Sequence, residues 1–192
     1  MEIWSRRAHH RSMETSGTSV DRAAINADLE RARIDFHRLL DSAEPSDWTR
    51  PTDGTRWTNE ELLFHIVFGY MVVQRLVVLI AVFGRLPRVT SVAFARILNA
   101  STHPFHLINY YGSRAAALVY NRRRMGAKLD RVISSLQRRM ANKPDSAFLR
   151  GMYFPTGWDP FFSDYMTLED LYRYPGRHFY FHSRQLTLTR RT

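Results

Sequence analysis

The stretch His178-Phe179-Tyr180-Phe181-His182 sets two imidazoles four residues apart. On an α-helix that spacing puts both on one face, one turn apart, where they can converge on a single metal ion. The pair alone reads equally well as two unrelated histidines that face solvent or fill a core. A third histidine, His65, lies between Leu62 and Gly69 at the edge of an apolar stripe. There it is either a hydrogen-bonded core residue or a ligand. Helical bundles build metal sites from side chains on facing helices, so His65, His178 and His182 together would make a three-histidine centre. Three protein ligands with open coordination positions is the catalytic pattern, since structural sites are usually closed by four. Imidazole alone does not select among divalent Zn, Ni and Fe.

Other histidines offer weaker sets. His103 and His106 are three apart but flank Pro104, His37 follows the apolar Phe36, and His9 and His10 stand in a polar start. A ligating imidazole commonly donates its second N–H to a neighbouring oxygen. Glu61, Gln185 and Asp159 are candidates for that role. Glu61 competes as a helix cap, and Asp159 as a turn former between Trp158 and Pro160.

Four helical segments have to position these groups, and no strand pattern competes with them. The first covers about 21–40, where Ile25, Leu29, Ala32, Phe36 and Leu39 recur at spacings of four and three. A linker over 44–55 follows. Thr58 then caps the second helix, with Glu61 three residues on as a capping box and Trp57 placed to staple onto Leu62. Leu62, Ile66, Gly69 and Val73 line its inner face up to about Gly84. Residues 85–109 read as an irregular excursion with a short helix at 92–98. A third long helix is expected over 109–140, its stripe formed by Leu118, Met125, Leu129, Val132, Leu136 and Met140. A loop rich in Pro, Gly and aromatics fills 143–166. The last helix starts at the cap Thr167 and runs to about Leu188, with Pro175-Gly176 kinking or restarting it. The expected fold is all-α: a four-helix bundle with long crossover connections over 21–190, after a disordered tail at 1–20 in which Met13 is an alternative start.

Composition narrows the function. The chain has 192 residues and no cysteine, which excludes disulfides, iron–sulfur clusters and a protein thiol nucleophile. Its net charge of +10 is uneven: residues 114–150 carry ten basic and two acidic side chains, against nine and eleven in 1–60. Such a stretch is either a solvated helix face or an attractor of anions. No apolar signal core is visible near the start, so the expected location is cytoplasmic. The apolar run 62–83 is interrupted by His65, Gln74 and Arg75 and reads as a buried bundle helix, not a membrane span.

Trp57-Thr-Asn-Glu-Glu61-Leu-Leu-Phe-His65-Ile66 resembles the Trp-Ser/Thr-x-x-Glu-x-x-x-His segment of the DinB-like superfamily, which consists of metal-binding four-helix bundles. His178-x-x-x-His182, followed by Gln185-Leu186, matches the partner motif on the last helix of that family. The resemblance spans about 21–188 and implies a divalent metal on His65, His178 and His182. It also implies kinship with transferases and isomerases that use low-molecular-weight thiols such as mycothiol, bacillithiol or glutathione. The excursion at 85–109 is longer than in a minimal member. No C-terminal domain of the maleylpyruvate isomerase kind follows, so the resemblance does not carry that activity over.

Two classes of function follow. In the first, a metal-dependent enzyme binds a small-molecule substrate and a thiol cosubstrate, with Arg114 or Arg122 as candidate contacts for a carboxylate. In the second, a non-catalytic binding module uses Arg122, Arg123, Arg124, Lys128, Arg131, Arg138 and Arg139 against nucleic acid or another anionic partner. No nucleic-acid-binding signature accompanies those residues, and the enzyme is the preferred reading. A homodimer through an apolar helix face is compatible with either.

Overall fold

The computed structural model describes residues 20–189. The tail expected over 1–20, with His9, His10 and Met13, lies outside the described residues apart from residue 20. Helix α1 spans Arg22–Ser42 and α2 spans Asn59–Phe83. Then come α3 (Arg88–Ala100), α4 (Thr102–Val119), α5 (Met125–Ala141) and the single turn α6 (Asp145–Phe148). Two three-residue strands, β1 (Gly151–Tyr153) and β2 (Tyr165–Thr167), pair antiparallel with Met152 opposite Met166. Helix α7 closes the chain at Leu168–Ser183.

Four of these helices form the bundle. α2 packs on α7 and α5, and α1 packs on the same two. The first two helices therefore stand diagonally across the bundle, which is the crossover arrangement expected. The stripe Ile25, Leu29, Ala32 and Phe36 of α1 is buried, as are Leu62, Ile66, Gly69 and Val73 of α2. α2 is the one described helix with the length and hydropathy of a membrane span, and its packing is that of a central bundle helix.

Both capping boxes form. The Thr58 side chain accepts from Glu61 N–H while the Glu61 carboxylate accepts from Thr58 N–H. Thr167 and Asp170 do the same at α7. Asp21 caps α1 by accepting from Ala24 N–H at 2.8 Å.

The third long helix expected over 109–140 is two helices. The chain leaves α4 at Tyr120, where φ is −99° and ψ 60°. Asn121 then makes a turn in which its side chain accepts from Arg123 N–H at 3.2 Å and its carbonyl from Arg124 and Met125. Leu118, expected in the buried stripe, is 83% exposed. Met125, Leu129, Val132, Leu136 and Met140 are buried as expected. The basic cluster is thus divided between the turn and α5.

The excursion at 85–109 is also more regular than expected. It is α3 and the start of α4, joined at Ser101, because Pro104 falls at the third position of α4, where its missing N–H breaks no intrahelical bond. α7 runs through Pro175 without a break but stops at Ser183, five residues short of Leu188.

Beyond Ser183 the chain is held by side chains, not helix bonds. The buried Asn59 donates to Asp47 C=O at 2.8 Å and accepts from Thr187 N–H at 2.9 Å. The buried Asp47 accepts from Thr189 N–H and Oγ1 at 3.0 and 2.8 Å. Asp53 N–H donates to Gln185 C=O at 2.8 Å. Removing Asn59 leaves several of these buried partners unsatisfied, at about 1–3 kcal/mol each. Asn59→Ala is therefore expected to lower stability by at least about 2 kcal/mol in urea unfolding, with amide exchange at Thr187 and Thr189 accelerated first.

Candidate metal centre

The site forms where α2 meets α7. His178 and His182 lie one turn apart on the inner face of α7, and His65 faces them from the second turn of α2. Their ring centroids are 4.5 to 5.1 Å apart, and one ligand nitrogen from each lies within 4.8 Å of the others. His65 and His178 are buried and His182 is half-buried. This close approach depends on Gly69. A Cβ there would stand 2.8 Å from both Cε1 and Nδ1 of the His178 ring.

Each imidazole has a different neighbour. The indole of Trp57 stacks on His65 at 4.4 Å, so the side chain expected against Leu62 covers a site residue. Gln185 Oε1 lies 2.7 Å from His182 Nδ1. With the amide oxygen as acceptor, that nitrogen carries the proton and Nε2 keeps its lone pair. Asp159 Oδ2 stands 3.8 Å from His178 Nε2, too far for a hydrogen bond, and accepts from the Tyr174 hydroxyl at 2.8 Å. Glu61 is taken up by its cap and by a 3.0 Å ion pair with Arg114.

The loop that brings Asp159 is pinned to α3 and α4. Trp158 stacks on Phe105 at 3.9 Å, and its Nε1 donates to Leu98 C=O at 2.8 Å. Two neighbouring spaces serve the site. A narrow cavity of about 40 Å³ lies among His65, His178, Asp159, Phe68 and Phe162. A wider recess of about 270 Å³ is lined by Arg56, Trp57, His106, Asn109 and Tyr110, with Asn109 forming a wall of both. Arg56 stacks over the Tyr110 ring at 4.5 Å. Arg56, Asn109 and Tyr110 carry no spacing signal in the sequence. Tyr174 does, standing four residues before His178 on the same face of α7.

The remaining histidines do not join the cluster. His37 Nε2 pairs with Asp130 at 3.0 Å between α1 and α5. His103 and His106 are exposed on α4, His106 at the wider recess.

Burial pulls the His65 pKa down to about 3, with His182 adding to the effect and Asn109 opposing it. Burial likewise holds His178 well below the usual imidazole value, and His65 and His182 push the same way. His182 is lowered by burial, against Gln185 and Asp159. Neutral imidazole is the form that ligates a metal. The Nδ1 atoms of His65 and His178 are both buried with no hydrogen-bond partner. Lone pairs left this way fit an ion, so the three residues could hold one.

Fold and centre together define a class: a crossover bundle whose facing helices turn three imidazoles inward. The chain belongs to the DinB superfamily, whose family model matches residues 28–186 and so includes all three histidines. No curated protein and no solved structure matches the chain. A histidine triad of this kind in this family fits a metal-binding protein.

Two outcomes follow from the geometry. Gly69→Ala should weaken zinc binding at least about tenfold, by displacing His178, while circular dichroism keeps the helical signal. Below pH 6.5 the unfolded chain takes up a proton at His65 that the folded chain refuses until about pH 3. The stability of chelator-treated protein should therefore fall on acidification, by about 1.4 kcal/mol per pH unit for each proton refused. Urea midpoints at pH 7.5 and 5.5 measure this. His65→Gln should show a smaller loss over the same interval.

Proposed function

We propose that the chain is a metal-dependent enzyme that holds a divalent ion, Zn, Ni or Fe, on His65, His178 and His182 and transfers a low-molecular-weight thiol to a small electrophile. The observation that carries this reading is a cluster of three histidines beside a cavity, two of them with a buried Nδ1 that has no hydrogen-bond partner. Each buried nitrogen without a partner costs about 1–3 kcal/mol, a cost that an ion would remove. When bound, such an ion supplies the Lewis acidity that keeps a thiol deprotonated near neutral pH. The absence of cysteine means that the thiol comes from a cosubstrate.

The chain's own residues then have distinct tasks. Gln185 fixes the tautomer of His182, and Asp159, itself fixed by Tyr174, faces the outer nitrogen of His178. Phe68 and Phe162 keep the inner cavity apolar. The recess between Trp57 and Tyr110 is wide enough to receive the organic part of a substrate, and Arg56 at its rim favours a carboxylate. Arg56 suits that task better than the arginines expected from the sequence. Arg56 lines the recess, and Arg114 and Arg122 do not.

Metal content by mass spectrometry tests the reading, on tag-free wild type beside His178→Ala. Near-stoichiometric metal in the wild type and about a tenfold lower content in the variant is expected. The metal-loaded protein should then consume a bacillithiol- or glutathione-type thiol with an alkylating electrophile, at a rate lost in His178→Ala. Negligible metal in both proteins, even after incubation with Zn or Ni, would exclude the enzyme.

A further inference from the structure

A groove of about 500 Å³ lies away from the histidines. It lies on the neighbouring face of α7, against α1 and the Asp159 loop. Gly176 is at its floor, Phe161, Tyr180 and Phe181 form its walls, and Arg173, Arg177, Arg184 and Asp28 stand around them. We propose that this groove is a second small-molecule site, for a compound that joins one oxyanion, a carboxylate or a phosphate, to a flat apolar body.

The charges point to an anion. Arg173 is bound to Glu169 through two nitrogens at 2.9 and 3.1 Å, and Asp28 is paired with Arg31 at 2.8 Å. Those four cancel pairwise. Arg177 and Arg184 make no side-chain hydrogen bond, ion pair or ring contact with any described residue. Arg177 stands on α7 and Arg184 is its C-cap, seven residues on, and both border the same groove. Two free guanidiniums over an apolar floor attract a group that can accept from both.

The walls point to a flat body. Phe161 and Phe181 meet edge to face at 5.3 Å, and Tyr180 is fixed by donating its hydroxyl to Asp35 at 3.0 Å. The groove is therefore bounded by rings that hold their positions. Gly176 keeps it open: a Cβ at that position meets nothing within 4 Å. Glycine weakens a helix interior, above all directly after Pro175. No backbone conformation requires it here, since the one positive-φ glycine among the described residues is Gly54. What Gly176 provides is empty space above the helix.

The site is independent of any metal, and the experiment needs none. Amide chemical shifts of the full chain are followed during titration with 1-naphthoate, with 1-naphthyl phosphate and with the neutral 1-naphthalenemethanol. At least one of the two anions should shift Gly176, Arg177, Phe181 and Arg184 saturably, with a dissociation constant on the order of 1 mM or tighter. The alcohol should bind at least about tenfold more weakly. Arg177→Gln with Arg184→Gln should weaken the anion by about tenfold or more. Gly176→Leu, which fills the groove and strengthens the helix, should abolish binding. Equal affinity for the alcohol, undiminished binding to folded Gly176→Leu, or no saturable shift with either anion would each overturn the proposal.

Discussion

The contact on which this molecule turns is the approach of α7 to α2 at Gly69. An imidazole lies directly against the backbone of a central helix, in the space that a single methyl group would fill. Everything around it follows from that closeness. Tyr70 and Val73 bury beside it on α2, and Tyr174 and Phe179 on α7, so the histidine cluster is an internal layer of the core. A site built into a close-packed interior keeps its geometry, because neighbouring side chains cannot move without opening a void. The same packing denies the imidazoles water, and this is why His65 and His178 resist protonation.

Such a layer works against folding, and the structure offsets it around the rim. The tail after α7 returns across the start of α2, tied by Asn59, Asp47 and Thr187. It carries Gln185 to His182 on the way. One network thus anchors the C-terminal segment and sets a ring tautomer. Helices α3 and α4 play the matching part on the other side, holding Trp158 by stacking and by a hydrogen bond so that Asp159 stands by His178. The excursion expected as irregular is a rigid support for the loop that borders the site.

How much of this was legible depended on whether the signal was local. The i, i+4 pair of histidines, the capping box at Thr58 and the stripe of α1 are each set by neighbours within one or two turns, and each stands where the spacing puts it. The helix expected over 109–140 failed for the same kind of reason. Leu118 and Met125 are seven apart, which continues a stripe across Tyr120–Arg124, and Asn121 alone marked the turn that breaks it. The two short strands pair residues twelve to sixteen apart with no alternation to announce them. Asn109 and Tyr110 meet His65 and Trp57 only through the tertiary fold. Trp57 itself was legible as a staple, and its contact with His65 was not, since both roles ask for the same aromatic residue one turn or two from the same helix start.

Arginine use shows how a basic stretch in the sequence is distributed by the fold. A surface that binds a polyanion presents many unpaired basic groups along one element. Here the basic stretch is divided by a turn, and several of its members are engaged within the protein. Arg114 binds Glu61, Arg122 lies over Trp48, and Lys128 lies over Tyr120. Arg177 and Arg184, which are free and border a groove, lie outside that stretch, whereas Arg139 on α5, equally free beside a cavity, lies within it. Concentration of charge in the sequence and availability of charge in the fold are therefore different quantities.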